Sequence, residues 1–281
     1  MRKEEINIRD PFVVVEDGKY YLYGTRAMNF GRNTGGFDVY VSSDLENWSE
    51  PIECFNSEKY QMNRLVNWAP EVHRYKGKYY MFATFTHENG YKGTHSLVSD
   101  SLLGPFEPLS KGSLTPVEWE ALDGTLFVDD EGVPYLVFCH EHMQIKDGTM
   151  CYVRLSDDLS SAVSEVTTMF KASECPWAQA IRNGNFVTDG PYMYTTKTGV
   201  LLMIWSSFID GKYAEMVVRF NEGRLDGKFE HCEPLLDSDG GHGMIFSDEK
   251  NIYFTYHTPN KSLSERPEFC VVKDLGDRIE M

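Results

Sequence analysis

One phrase recurs five times along this 281-residue chain, at intervals of roughly 50–65 residues. Its copies start near Asp10, Pro70, Asp123, Asp189 and His242. Each runs through a short apolar stretch into a turn and then into a second, aromatic stretch. The turns end at Gly18, Gly77, Gly132, Gly199 and Asn251, residues that supply the positive φ a tight hairpin requires. The stretches after them (20–23, 79–82, 135–138, 201–204 and 252–255) are rich in strand-favouring Tyr, Phe, Ile and Val. A third strand follows in most copies, as at 39–43 and 152–156, and Asp44-Leu-x-x-Trp48 leads into an outer one. Several antiparallel strands per copy, five copies and little helix predict an all-β fold. The expected architecture is a five-bladed β-propeller forming a single domain over 1–281. In such a ring, equivalent positions meet around one axis, so residues distant in sequence share one mouth of the central channel. Pro11, Pro70 and Pro191 suit the free edge of an innermost strand, because proline has no N–H to donate.

Composition narrows the partners. The formal net charge is -16, with no basic run, which argues against nucleic acid and anionic membrane surfaces and disfavours polyanionic substrates. A neutral oligosaccharide or polysaccharide fits better. No apolar leader is visible in the first residues and no stretch reaches the length of a membrane span, so the expectation is a cytoplasmic protein. The six cysteines include no Cys-x-x-Cys pair and read as reduced structural thiols.

Asp10, Asp123 and Asp189 each open a repeat. One such aspartate is ordinarily a backbone cap, but three at matched positions are a candidate site. Glycoside hydrolysis needs two carboxylates, one to protonate the leaving oxygen and one to activate water or attack the sugar. Crowding and burial would raise the pKa of at least one of the three.

The matched elements are Arg9-Asp10-Pro11, Trp68-Ala69-Pro70-Glu71, Asp123-Gly124 followed by Asp129-Asp130-Glu131-Gly132, Asp189-Gly190-Pro191 and Gly241-His242-Gly243. Together they resemble glycoside hydrolase family 43 over essentially the whole chain. The resemblance implies a five-bladed propeller that cleaves arabinofuranosides or xylosides with inversion. It implies Asp10 as general base, Asp123 as the aspartate that orients the acid and holds up its pKa, and Asp189 as general acid. Here the chain departs from the family pattern, which carries Glu-Gly-Pro where this sequence has Asp-Gly-Pro. The shorter arm puts weight on placement at the reacting centre. Glu71, Glu118, Glu120 and Glu215 are other carboxylates that could serve. Inversion implies Asp10 and Asp189 about 6.5–9.5 Å apart.

Sugar recognition calls for an aromatic platform and hydroxyl partners. Trp68 is the first candidate, with Phe30, Trp177 and Trp205 next. Glu71, Arg182 and His257 are candidates for polar contacts. By the same resemblance His242 faces the channel centre and contacts calcium or water there. No cofactor is required, and any calcium would be structural. The function expected is that of an inverting α-L-arabinofuranosidase or β-xylosidase acting on neutral pentose-containing saccharides. One alternative is a non-catalytic propeller that binds carbohydrate or protein. Another is a phosphorylase, which needs a cationic pocket that no Arg or Lys cluster in the sequence suggests.

Overall fold

In a computed structural model of the chain, which describes residues 1–26, 35–62 and 65–281, five four-stranded antiparallel sheets form the blades of one ring. Blade one holds β1 (Ile8–Glu16), β2 (Lys19–Arg26), β3 (Gly36–Ser42) and β4 (Ile52–Asn56). Blade two holds β5 (Asn67–Tyr75), β6 (Lys78–Thr86), β7 (Lys92–Ser99) and β8 (Glu107–Pro108). Blade three holds β9 (Ala121–Val128), β10 (Pro134–His140), β11 (Thr149–Arg154) and β12 (Thr167–Lys171), with one helical turn, α1 (His142–Ile145), after β10. Blade four holds β13 (Asp189–Thr195), β14 (Leu201–Ile209), β15 (Lys212–Phe220) and β16 (Phe229–Leu236). Blade five holds β17 (Gly241–Ser247), β18 (Ile252–Thr258), β19 (Arg266–Asp274) and β20 (Ile279–Glu280). Each blade is a simple meander, and its first strand is the innermost.

The alternation of apolar residues in these strands buries five hydrophobic clusters, one at each interface between neighbouring blades. The ring closes the same way. Met244 and Phe246 of blade five pack with Phe12, Tyr20 and Trp48 of blade one, and Trp48 stacks on Phe269 at 5.6 Å between centroids. All four strands of the last blade come from the final repeat, so the amino terminus adds no strand to it. It contributes Lys3, which pairs with Glu268 at 2.7 Å. The six cysteines are all unpaired thiols, four of them buried in these clusters.

Four hairpin turns place glycine at positive φ as expected, at Gly18, Gly77, Gly132 and Gly199. The fifth does not: Asn251 keeps a negative φ. Its turn is held instead by Asp248, whose Oδ1 accepts the N–H groups of Lys250 and Asn251 at 2.7 Å each. A side-chain acceptor thereby does the work of an αL residue.

Candidate active site

The five innermost strands share one irregularity, and it builds the site. In each, two residues oppose one on the neighbouring strand: Asp10-Pro11, Ala69-Pro70, Asp123-Gly124, Gly190-Pro191 and His242-Gly243. The first residue of every pair is left-handed, with φ of 54°, 46°, 57°, 46° and 51°. Such bulges bend a strand and re-aim its side chains, and they gather beside active sites. A non-glycine residue is held there only if its surroundings compensate.

The compensation is a ring of hydrogen bonds to the bulge N–H groups. Thr25, on β2, accepts from the Ala69 N–H at 2.7 Å, and Thr84, on β6, accepts from that of Asp123 at 3.0 Å. Ser206, on β14, accepts from His242 at 2.6 Å, and the Nδ1 of His257, on β18, accepts from Asp10 at 3.2 Å. These four acceptors occupy equivalent places on the second strand of their blades. In blade three that place belongs to Cys139, a weak acceptor, and there Asp123 Oδ2 takes the Gly190 N–H at 3.2 Å. Asp123 is therefore tied to the backbone directly after Asp189.

This geometry corrects the sequence alignment of the repeats by one residue. Asp10, Asp123 and His242 are equivalent, but the fourth member of their set is Gly190, not Asp189. Asp189 belongs with the residues just before each bulge: Arg9, Trp68, Leu122 and Gly241. A dipeptide match pairs Asp189-Gly190 with Asp123-Gly124, whereas the left-handed residue is the glycine in one and the aspartate in the other.

Members of both sets line one cavity of about 260 Å³. Asp10, Asp123 and His242 form its floor, and Arg9, Trp68, Leu122 and Asp189 rise around them. The wall is completed by Lys92, Glu141, His142, Met143 and Tyr213. The three aspartates are thus brought together with Trp68, the leading platform candidate. Lys92 Nζ lies 5.7 Å over the Trp68 ring and 2.7 Å from Glu120.

The other sequence candidates fall elsewhere. Trp205 is 0% exposed and packs on Phe170 in the core between blades three and four, so it cannot meet a sugar. His257 is also 0% exposed and serves the Asp10 backbone rather than a hydroxyl of the substrate. Glu71 is buried one residue past the bulge and bonds His73 at 3.0 Å, away from the cavity wall. Arg182 is exposed and does not line the cavity. Trp177 packs against the same core as Trp205. Phe30 lies outside the described residues. Of the alternative carboxylates, Glu215 is fully buried in β15, Glu118 is exposed, and Glu120 is engaged by Lys92.

Tyr213, Lys92, Glu141 and His142 carry no signal in the recurring phrase and are brought in from strands and turns outside it. Arg9 was visible as part of the first motif but had no role attached. No Arg or Lys cluster was visible in the sequence near the aspartates; in the fold two cations, Arg9 and Lys92, line the cavity. Each is matched by a carboxylate, Arg9 by Glu265 at 2.9 Å and Lys92 by Glu120.

The aspartates differ in surroundings. Asp10 Oδ2 accepts from the Thr25 hydroxyl at 2.7 Å, and Oδ1 lies 3.1 Å from His242 Nδ1 and 3.9 Å from Arg9 Nε. Burial pushes the Asp10 carboxyl up, but His242, Arg9 and the Thr25 hydroxyl outweigh it and hold the group below the usual carboxylate range. Burial would likewise strip the proton from His242, yet Asp10, Asp123 and Asp189 around it raise its pKa above the ordinary value. Burial raises Asp123, with the charges of Asp189 and Asp10 adding to it and His242 opposing. Burial also raises Asp189, opposed by His242 and reinforced by Glu141. Tyr213 donates to Asp189 Oδ2 at 3.0 Å. Burial holds His257 down to about 3, which leaves its Nδ1 free to accept from the Asp10 backbone.

These side chains do not fit a calcium held by protein oxygens, which wants six or more hard ligands. Ala69 and Gly190 bring no donor, and the Asp10 oxygens are taken by Thr25 and His242. Among the described residues no group of three or more His, Cys, Asp or Glu is arranged to hold a metal.

The sequence model of glycosyl hydrolases family 43 matches residues 5–272. The chain belongs to this family. Family 43 membership places it among the glycosyl hydrolases. A crystal structure described as an endo-arabinase from Bacteroides thetaiotaomicron VPI-5482 superposes with a TM-score of 0.89 at 36% identity, covering 97% of this chain and 96% of that one. The extracellular exo-α-(1→5)-L-arabinofuranosidase ArbA of Cellvibrio japonicus is 23% identical over 48% of this chain. The extracellular endo-α-(1→5)-L-arabinanase 1 of Bacillus subtilis is 29% identical over 47% of it. These matches span 41% and 42% of the two curated relatives' own lengths. Both relatives are named as extracellular enzymes, which overturns the expectation of a cytoplasmic protein.

Proposed function

We propose that the protein is a glycosidase of arabinose-containing polysaccharide, acting on α-1,5-linked arabinan with inversion. The observation that carries the chemistry is the opposite setting of two carboxylates in one cavity, Asp10 held below the usual carboxylate range and Asp189 pushed above it. Asp10 takes a proton from water as its oxygen attacks the anomeric carbon. Asp189 gives its proton to the glycosidic oxygen as the bond to the leaving sugar breaks. Asp123 fixes the backbone next to the acid through its bond to the Gly190 N–H. Trp68 offers its face to a sugar ring at the cavity wall. If Asp-Gly-Pro here replaces the Glu-Gly-Pro that the family resemblance implies, the shorter acid makes its placement at the reacting centre more critical.

Arabinan is favoured over xylan by the full-length likeness to a structure described as an endo-arabinase, at 36% identity. The test is product release from linear α-1,5-arabinan, arabino-oligosaccharides and xylan, each with and without phosphate, beside Asp10→Asn. Hydrolysis of arabinan alone, independent of phosphate and lost in the variant, is the expected result. Binding of arabinan by the wild type without any turnover would instead establish the non-catalytic propeller.

A further inference from the structure

The third blade sends a carboxylate into the cavity that no repeat motif accounts for. β10 ends at His140, and the chain turns through Glu141 into α1. Glu141 is 7% exposed and lines the same wall as Asp189. The turn after it is stapled to the segment that leads into Asp189. Gly148 N–H donates to the Phe186 carbonyl and Phe186 N–H to the Lys146 carbonyl, each at 2.9 Å.

Asn185, on that same segment, fixes the state of the neighbouring ring. Its Nδ2 donates to the His142 carbonyl at 3.1 Å, which shows which side of the amide carries the hydrogens. The same Nδ2 lies 3.2 Å from His142 Nδ1, so Nδ1 accepts. The remaining ring hydrogen is then on Nε2, which is 3.0 Å from Glu141 Oε1 and donates to it. That bond fixes the Glu141 carboxylate at the cavity wall.

We propose that Glu141, fixed by this chain through His142 to Asn185, is the positioning residue that keeps the proton on Asp189. The proposal rests on the reading of Asp189 as the acid. An aspartate acid lies close to its own backbone, where the Tyr213 hydroxyl favours its ionised form. A second carboxylate at the same wall offsets that. The other groups facing Asp189 are Asp123 on β9, His142 on α1, Tyr213 on β15 and His242 on β17, with Asp10 and Arg9 on β1 and Lys92 on β7. Burial does most to raise Asp189 and His242 most to lower it, and Glu141 is the side chain that pushes upward most strongly.

The experiment is the pH profile of kcat/KM on linear arabinan for the wild type, Glu141→Gln, Glu141→Asp and Asp189→Asn. Removing a negative charge beside the acid lowers its pKa, so Glu141→Gln moves the alkaline limb to lower pH by about one unit. The acidic limb, which reports Asp10, stays in place, and Glu141→Asp restores the alkaline limb. A uniform loss of rate at every pH with the limb unmoved overturns the proposal, because a merely structural role gives that pattern. Loss of arabinan turnover in Glu141→Gln with full activity on an aryl arabinofuranoside bearing a good leaving group also overturns it, since Glu141 would then deliver the proton itself. An Asp189→Asn enzyme that keeps the wild-type alkaline limb overturns the acid assignment beneath the proposal. A limb lost in Asp189→Asn but unmoved in Glu141→Gln overturns the proposal alone.

Discussion

Asp10 and Asp189 reach one cavity from the first and fourth blades, and their neighbours differ in sign. Around Asp10 stand His242, Arg9 and the Thr25 hydroxyl. Beside Asp189 stands Glu141, with His242, the Tyr213 hydroxyl and His142 as counterweights. The backbone differs too. Asp10 is itself the left-handed residue of its bulge, whereas Asp189 precedes a bulge whose left-handed residue is Gly190. One repeated strand start therefore yields two differently set carboxylates, which the proposed mechanism uses as base and acid, according to which side of the bulge each takes and what the adjoining blades present to it.

Asp10→Asn is the severest way to break this contrast. An amide cannot take a proton from water, so kcat/KM on arabinan should fall by about 10⁴-fold. The loss should be as deep on an aryl arabinofuranoside, because a good leaving group does not replace a base. A variant retaining a tenth of wild-type activity would remove Asp10 from the chemistry.

Asp189→Asn should cost about 10²–10³-fold on arabinan and far less on an aryl glycoside with an acidic leaving group. The alkaline limb of the rate profile should vanish with it. Equal losses on both substrates would mean that Asp189 acts on something other than the leaving oxygen, and the acid–base contrast would collapse.

The propeller was legible because five turns and five aromatic runs repeat with little variation, and each repeat became one meandering blade. The floor of the site was half legible. Asp10, Asp123 and His242 stand at equivalent positions in the folded ring, but the offset of Asp189 is a matter of φ, which a dipeptide does not reveal. Trp205 was misjudged because regular alternation along β14 sets it with Leu201 and Met203 on the face that packs into the core, against Phe170. Tyr213 and Glu141 carried no usable signal, since each is placed by a neighbouring strand end.

Tyr213→Phe sharpens the comparison from the acid's side. The Tyr213 hydroxyl donates to Asp189 Oδ2 and favours its charged form. Its loss should shift the alkaline limb to higher pH, opposite in direction to Glu141→Gln, with a change of only about three-fold at the optimum. Shifts of the same sign in the two variants would show that the limb belongs to another group.

The smallest effect is expected at Glu215, a buried carboxylate outside the cavity. Burial pushes it up to about 8, against the Ser206 hydroxyl at 2.8 Å that favours its charge. The folded protein then binds a proton here that the unfolded chain releases above about 4.5. Stability from this group is full below that pH, falls as pH rises through about 8, and is flat beyond. Glu215→Gln imitates the protonated form and should raise Tm at pH 8 by on the order of 5 °C while leaving it unchanged at pH 4. Differential scanning calorimetry at the two pH values measures this. Activity at the optimum should change little, because Glu215 does not line the cavity. A Gln variant with normal stability but a displaced rate profile would draw Glu215 into the same electrostatic set as Asp189, through the Ser206 and His242 contacts that join them.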